Sequence, residues 1–284
     1  MKTIKVKKYS NHNTSGNLQI VRLNEYLSQQ AMIEKIHRHH FYFVLVIEKG
    51  SGKHDIDFIS YDINNYSVFL LRPGQVHSIK LNKGSKGFLV TFDKAFYTPT
   101  FQVAFFEHTF RQNVISVGSE SLRQIKQVLN EVFSEYNRRL IGYKEAIKAH
   151  FDVLFILLYR NVDMLAAPKV SFELDIFEHF LQLVETHIAH YKKTEFYAEK
   201  LNVSTYQLNA ITKKLADKTS TQVITDQIIL EAKRNLLATS LQIKEIAHIL
   251  GYEDHSYFIR FFKKQTQLTP KAFRELHCAA FIMK

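Results

Sequence analysis

The chain has 284 residues, of which 46% are hydrophobic and 23% charged, with a single cysteine, Cys278, and a net charge of +11. That composition excludes a disordered or low-complexity chain, suits about two domains, and leaves no partner for an intrachain disulfide. The longest apolar runs, Phe41 to Ile47 and Val153 to Tyr159, span seven residues each, against the roughly 20 needed to cross a bilayer, and the start lacks a signal peptide's apolar stretch, so a cytoplasmic location is expected.

From about residue 18 to residue 92, short apolar runs rich in Val, Ile, Phe and Tyr alternate with turn signals, which predicts antiparallel strands in a barrel or sandwich. Phe41 to Ile47 runs into Glu48-Lys49-Gly50-Ser51-Gly52, whose glycines permit positive φ. An alternating stretch follows in which Ile56 and Phe58 face away from Asp55 and Asp57, and the whole predicts a hairpin. Tyr66 to Leu71 is a further strand, stopped by Arg72-Pro73-Gly74, and Val76 to Leu81 and Phe88 to Phe92 continue the pattern.

After Gly118 the period becomes helical. Leu122, Ile125, Val128, Leu129, Val132, Phe133 and Tyr136 share one face, with Ser119 or Ser121 as the cap. A second helix, about Tyr143 to Arg160, is apolar nearly all round over Val153 to Leu158, so either the rest of its domain or a second subunit, in a homodimer, must cover it. Helical periodicity lapses over Asn161 to Ser171, where Pro168 stops propagation. This gives an N-terminal domain over 1–165, a linker over 166–171 and an all-α domain over 172–284, opening on the stripe Phe177, Phe180, Leu181, Val184 and Ile188.

The C-terminal part repeats itself. Lys213-Lys214 and Lys263-Lys264 are 50 residues apart, and the same offset matches Ser204 with Asp254 and Leu208 with Phe258. Before the turns the offset is 49, matching Ala198 with Ala247 and Leu201 with Leu250. Each unit, about 194–216 and 243–266, has a short helix containing alanine, a brief turn, a capping residue and an amphipathic helix, the helix-turn-helix recipe. Neither second helix carries an acid past its cap, as a helix lying against phosphate requires. Local placement must do this work, because residues 172–284 hold 15 basic against 13 acidic residues and most of the surplus lies earlier.

The stretch from Ile243 through Gly251, Phe258, Arg260 and Phe262 to Lys264, followed by Leu268-Thr269-Pro270 and Arg274, closely resembles the signature of the AraC/XylS family of bacterial transcription regulators. The resemblance is strong over about 172–276 and weak over the β-rich part, where the family often carries a cupin-like effector or dimerisation domain. It implies an α+β multidomain fold: a cupin-like antiparallel β-barrel with two helices, then an all-α domain with two helix-turn-helix units joined by a long helix, here Thr221 to Thr239. It also implies a double-stranded DNA operator, activation of transcription through RNA polymerase, and no catalysis. The sequence departs from the family at Asp217 and Gln267, where glycine is usual, and such turn positions lose glycine without harm where φ is negative. Gln227 replaces a usual arginine. Ala210 replaces a commonly basic residue, which implies weak reading by the first unit.

Helical spacing turns Phe258, Phe261 and Phe262 inward and leaves His255, Ser256, Arg260 and Lys263 outward. Arg260 matches a family position that contacts bases, and a guanidinium reads guanine bidentately. His255 and Ser256, and in the first unit Tyr206, Gln207 and Asn209, are further base-contact candidates, while Lys213, Lys214, Lys263 and Lys264 are assigned to phosphate.

In the N-terminal part, His37, His39 and His40 precede the Phe41 strand, and Pro73-Gly74-Gln75-Val76-His77 resembles the second cupin motif. His37, His39 and His77 would converge if a metal-dependent cupin enzyme were the right alternative, but the usual glutamate positions are Phe43 and Val44, so no metal and no cofactor are expected. The effector-binding candidates are instead His39, His77, Tyr42, Phe58 and Tyr66, lining a barrel interior together with Phe69, although such rings equally serve as core.

Overall fold

The computed structural model describes residues 17–100, 103–162 and 172–282, and the chain divides into two compact units, Met1–Ala167 and Pro168–Lys284. The expected linker, 166–171, lies outside the described residues. The N-terminal unit runs β1 (Leu18–Arg22), α1 (Leu23–Tyr26), β2 (Met32–Arg38), β3 (Tyr42–Lys49), β4 (Gly52–Ile56), β5 (Ile59–Ile63), β6 (Ser67–Leu71), β7 (Val76–Leu81), β8 (Lys86–Phe92), α2 (Val103–Arg111), β9 (Val114–Ser116), α3 (Ser119–Arg138) and α4 (Tyr143–Tyr159). Its strands form two antiparallel sheets, ordered β1-β8-β3-β6-β9 and β2-β7-β4-β5.

The first sheet is buried on both faces. Tyr42, Val44, Val46, Leu70, Val90 and Phe92 pack against Phe106, Phe110, Leu129, Phe151 and Phe155 of the helices. The alternate residues Phe43, Leu45, Ile47, Phe69 and Leu71 pack against Ile56, Ile79 and Leu81 of the second sheet. A strand covered on both sides has no polar face to keep, hence the unbroken apolar run from Phe41 to Ile47. On α4, Ile147, Phe151, Leu154, Phe155 and Leu158 are fully buried within the unit and Val153 stays 47% exposed. The monomer therefore supplies most of the cover this helix needs.

Two local expectations fail. β3 and β4 do not form a hairpin, because they belong to different sheets; β4 pairs with β5 instead. The turn between them uses Asp57 (φ 44°) and Phe58 (φ 74°), and consecutive positive φ values are the type I′ pattern that matches strand twist. Gly50 and Gly52 marked a corner between sheets, since glycine signals a bend and not which strand comes next. Finally, α3 has Gly118 at its N-cap with no side-chain cap, so neither Ser119 nor Ser121 serves.

The C-terminal unit contains α5 (Phe172–His187), α6 (Thr194–Lys200), α7 (Thr205–Ala216), α8 (Ser220–Ala238), α9 (Ile243–Ile249), α10 (His255–Thr266) and α11 (Pro270–Ile282). Phe180, Val184 and Ile188 form its core with Tyr197, Ala198, Leu208, Ile224 and Ile228. Among the described residues no helix is long and apolar enough to cross a membrane.

Candidate nucleic-acid interface

The two α6–α7 and α9–α10 units share their turn chemistry. Val203 N–H donates to the Ala198 carbonyl at 3.0 Å, and Tyr252 N–H donates to that of Ala247 at 2.9 Å, in each case across a left-handed residue, Asn202 (φ 54°) or Gly251 (φ 72°). This is the helix-ending geometry that satisfies otherwise orphaned carbonyls. Ala198 and Ala247 are buried at the joint, where a small side chain lets two helices close together. Ser204 caps α7 in a reciprocal box with Gln207, and Asp254 caps α10 by accepting from Ser256 N–H at 2.7 Å.

Both second helices present acid-free polar faces to solvent. On α10, Phe258 and Phe262 are fully buried and Phe261 half-buried, while His255, Ser256, Lys263 and Lys264 are exposed and the Arg260 side chain is 69% exposed. Tyr257, not singled out from the sequence, also stands 56% exposed. The Arg260 guanidinium lies 3.9 Å from the Asp254 carboxylate, which is held below its usual range by the Ser256 amide. One residue therefore both caps the helix and stands beside its arginine.

On α7, Tyr206 is 82% exposed and Ala210, Lys213 and Lys214 are exposed. Gln207 and Asn209 have local duties: the Gln207 side-chain oxygen accepts from Ser204 N–H at 2.9 Å, and that of Asn209 accepts from both Ser220 N–H (2.9 Å) and Ser220 Oγ (2.7 Å) at the start of α8. Lys214 is ion-paired with Glu173 of α5. Asp217 (φ 53°) and Gln267 (φ 64°) are both left-handed C-caps, so the reason given for their tolerance is wrong. These two turns do want positive φ, and Asp and Gln occupy it at a cost glycine would not incur.

The N-terminal unit gathers histidines as their spacing suggested, and adds one that was missed. His37 faces His77 directly across β2 and β7, with ring centroids 4.3 Å apart, and His39 lies 4.9 Å from His77. His54 of β4 completes the group, its Nε2 lying 3.0 Å from His77 Nδ1. Its period-two relation to buried Ile56 was the available signal. His39 Nε2, His54 Nδ1 and His77 Nε2 have no hydrogen-bond partner among the described residues. Burial is the main cause that pushes His39 and His54 down to about 3 and His77 well below the ordinary imidazole value, with the neighbouring imidazoles adding to it. Among the described residues no group of His, Cys, Asp or Glu is arranged to hold a metal ion.

The other effector candidates do not join this cluster. Tyr42 faces the helices, stacked on Phe92 and edge-on to Phe106 and Phe110. Phe58 sits in the β4–β5 turn, and Tyr66 (φ 63°), 45% exposed, lines a surface groove with Glu48, Arg123 and Lys126. Alternation assigned Tyr42 a face, but not which of two cores that face meets.

A family model described as a helix-turn-helix domain matches residues 197–276, and one described as an AraC-like ligand binding domain matches residues 17–152. The xylose operon regulatory protein of Haemophilus influenzae is 41% identical over 80 residues, covering 28% of this chain and 20% of that protein. The HTH-type transcriptional activator RhaS of Pectobacterium carotovorum is 21% identical over 84% of this chain and 86% of its own. Among solved structures, ToxT of Vibrio cholerae aligns over 91% of this chain and 96% of its own, at 17% identity and a TM-score of 0.43.

Proposed function

Because the chain belongs to the AraC/XylS family of transcription regulators, we propose that it activates transcription by inserting α7 and α10 into successive major-groove segments of one operator. The observation that carries this reading is the paired presentation: two helices with the same turn and capping chemistry, each turning an acid-free polar face to solvent. Arg260 is the principal base reader, with His255, Ser256 and Tyr206 beside it. Lys213, Lys263 and Lys264 take phosphate, and Lys214 does so on leaving Glu173. Gln207 and Asn209 are better accounted for by the cap and the α7–α8 joint, so the first unit reads fewer bases than the second.

The regulator takes a small-molecule input through its N-terminal unit, acts in the cytoplasm, touches RNA polymerase when bound, and pairs as a homodimer. Support for the input comes from the ligand-binding family model and from His39 and His77 lying together between the sheets. Selection of duplexes from a random-sequence pool, followed by footprinting, tests the DNA reading: two protected major-groove segments about one helical turn apart are expected for each bound protomer, and a single protected segment per protomer would overturn the paired insertion. A ligand that alters transcription must raise the melting temperature of the folded state it prefers.

A further inference from the structure

The α5–α6 loop is locked to the first helix-turn-helix unit. Tyr191 stacks on Phe196 with ring centroids 3.7 Å apart, and Tyr197 Oη donates to the Tyr191 carbonyl at 2.6 Å. The same loop also grips the second unit. At Gly251, in the α9–α10 turn, a Cβ would lie 1.6 Å from the Ala189 carbonyl oxygen, so only glycine permits this approach of the two backbones. The Lys192 ammonium then donates to both sides of the junction, to the Ala189 carbonyl at 3.2 Å and the Gly251 carbonyl at 3.1 Å. It also lies 4.8 Å from the centroid of the Tyr252 ring, which packs on Phe258 and Phe261 of α10.

We propose that Lys192 is a positioning residue that sets the angle of the second recognition helix relative to the first, and with it the spacing between the two DNA segments the protein accepts. The inference rests on the DNA-binding reading above. Its physical basis is leverage. A helix of 12 residues is roughly 18 Å long, so a tilt of about 10° at its N-terminal turn moves the far end by about 3 Å, close to the ~3.4 Å rise of one base pair. Charge-assisted bonds to two carbonyls and an ammonium over an aromatic face resist such a tilt better than apolar contact, because they are directional. Partial burial lowers the proton affinity of Lys192, and the two carbonyls and the ring stand in for the water it gives up. In the first turn the left-handed residue is Asn202 rather than glycine.

The test uses the full chain and a duplex that the protein itself selects from a random pool. Affinity is measured on that duplex, on versions with one or two base pairs inserted between the protected segments, and on a version with the second segment scrambled. Lys192→Met is expected to bind the selected duplex at least tenfold more weakly, to lose the spacing preference, and to match the parent on the scrambled version. Lys192→Arg is expected to retain the preference. An unchanged spacing preference in Lys192→Met overturns the inference, as does an equal loss on every duplex, which marks a plain phosphate contact. Thermal melts that coincide with the parent's separate positioning from folding. If no two-segment duplex is selected at all, it is the DNA reading that fails.

Discussion

In the N-terminal unit His39, His54 and His77 lie at no more than 8% exposure among Phe41, Phe43 and Phe69, whereas in the C-terminal unit Arg260, Lys213, Lys263 and Lys264 stand in solvent on helices without acids. The first arrangement keeps ionisable groups neutral by withholding water; the second keeps them charged by leaving them in it. It follows that one unit should respond to pH and the other to salt, and each expectation below would break or sharpen that contrast.

The largest effect is acid destabilisation of the N-terminal unit. Its buried His39, His54 and His77 have lowered proton affinity in the folded state, so their contribution is complete above about pH 6.5, where folded and unfolded forms are both neutral, and drains as pH falls toward 3. By pH 5 the unfolded chain takes up protons that the buried His39, His54 and His77 refuse, so the folded unit loses stability. Glu34 of β2, whose carboxyl is raised by burial despite nearby His37, adds a weaker opposite slope. Denaturation followed at pH 7.5 and pH 5 should move the N-terminal transition far more than the C-terminal one; a pH-independent N-terminal transition would break the contrast.

Next comes Arg260→Ala, expected to lower affinity for the selected operator by about 1–3 kcal/mol while sparing scrambled DNA. Equal loss on both would reassign Arg260 to phosphate. Lys263→Ala should instead weaken all duplexes alike and reduce the slope of log affinity against log salt by about one. Ser204→Ala, which removes the α7 cap, should cost about 1 kcal/mol in the C-terminal transition alone. The smallest effect is a gain: Gln267→Gly relieves a left-handed C-cap and should stabilise by about 0.5–1 kcal/mol, measurable as a raised denaturation midpoint.

What the residue order determined by itself was everything set by neighbours within a few positions. The α7 and α10 helices, their caps Ser204 and Asp254, the inward Phe258 and Phe262 and the outward Arg260 all follow from a 3.6-residue period and local hydrogen bonds. The pairing of strands did not, because a strand's alternation records that a face is covered and not by what. That is why β4 took β5 rather than β3, and why Tyr42 met helices rather than a ligand space. His54 joined His77, Lys192 bridged to Gly251 and Asn209 held Ser220 only through the folded chain, since each contact links residues 11 to 59 positions apart. Closing such loops is driven by burial spread across the whole unit, a quantity no short window of sequence contains.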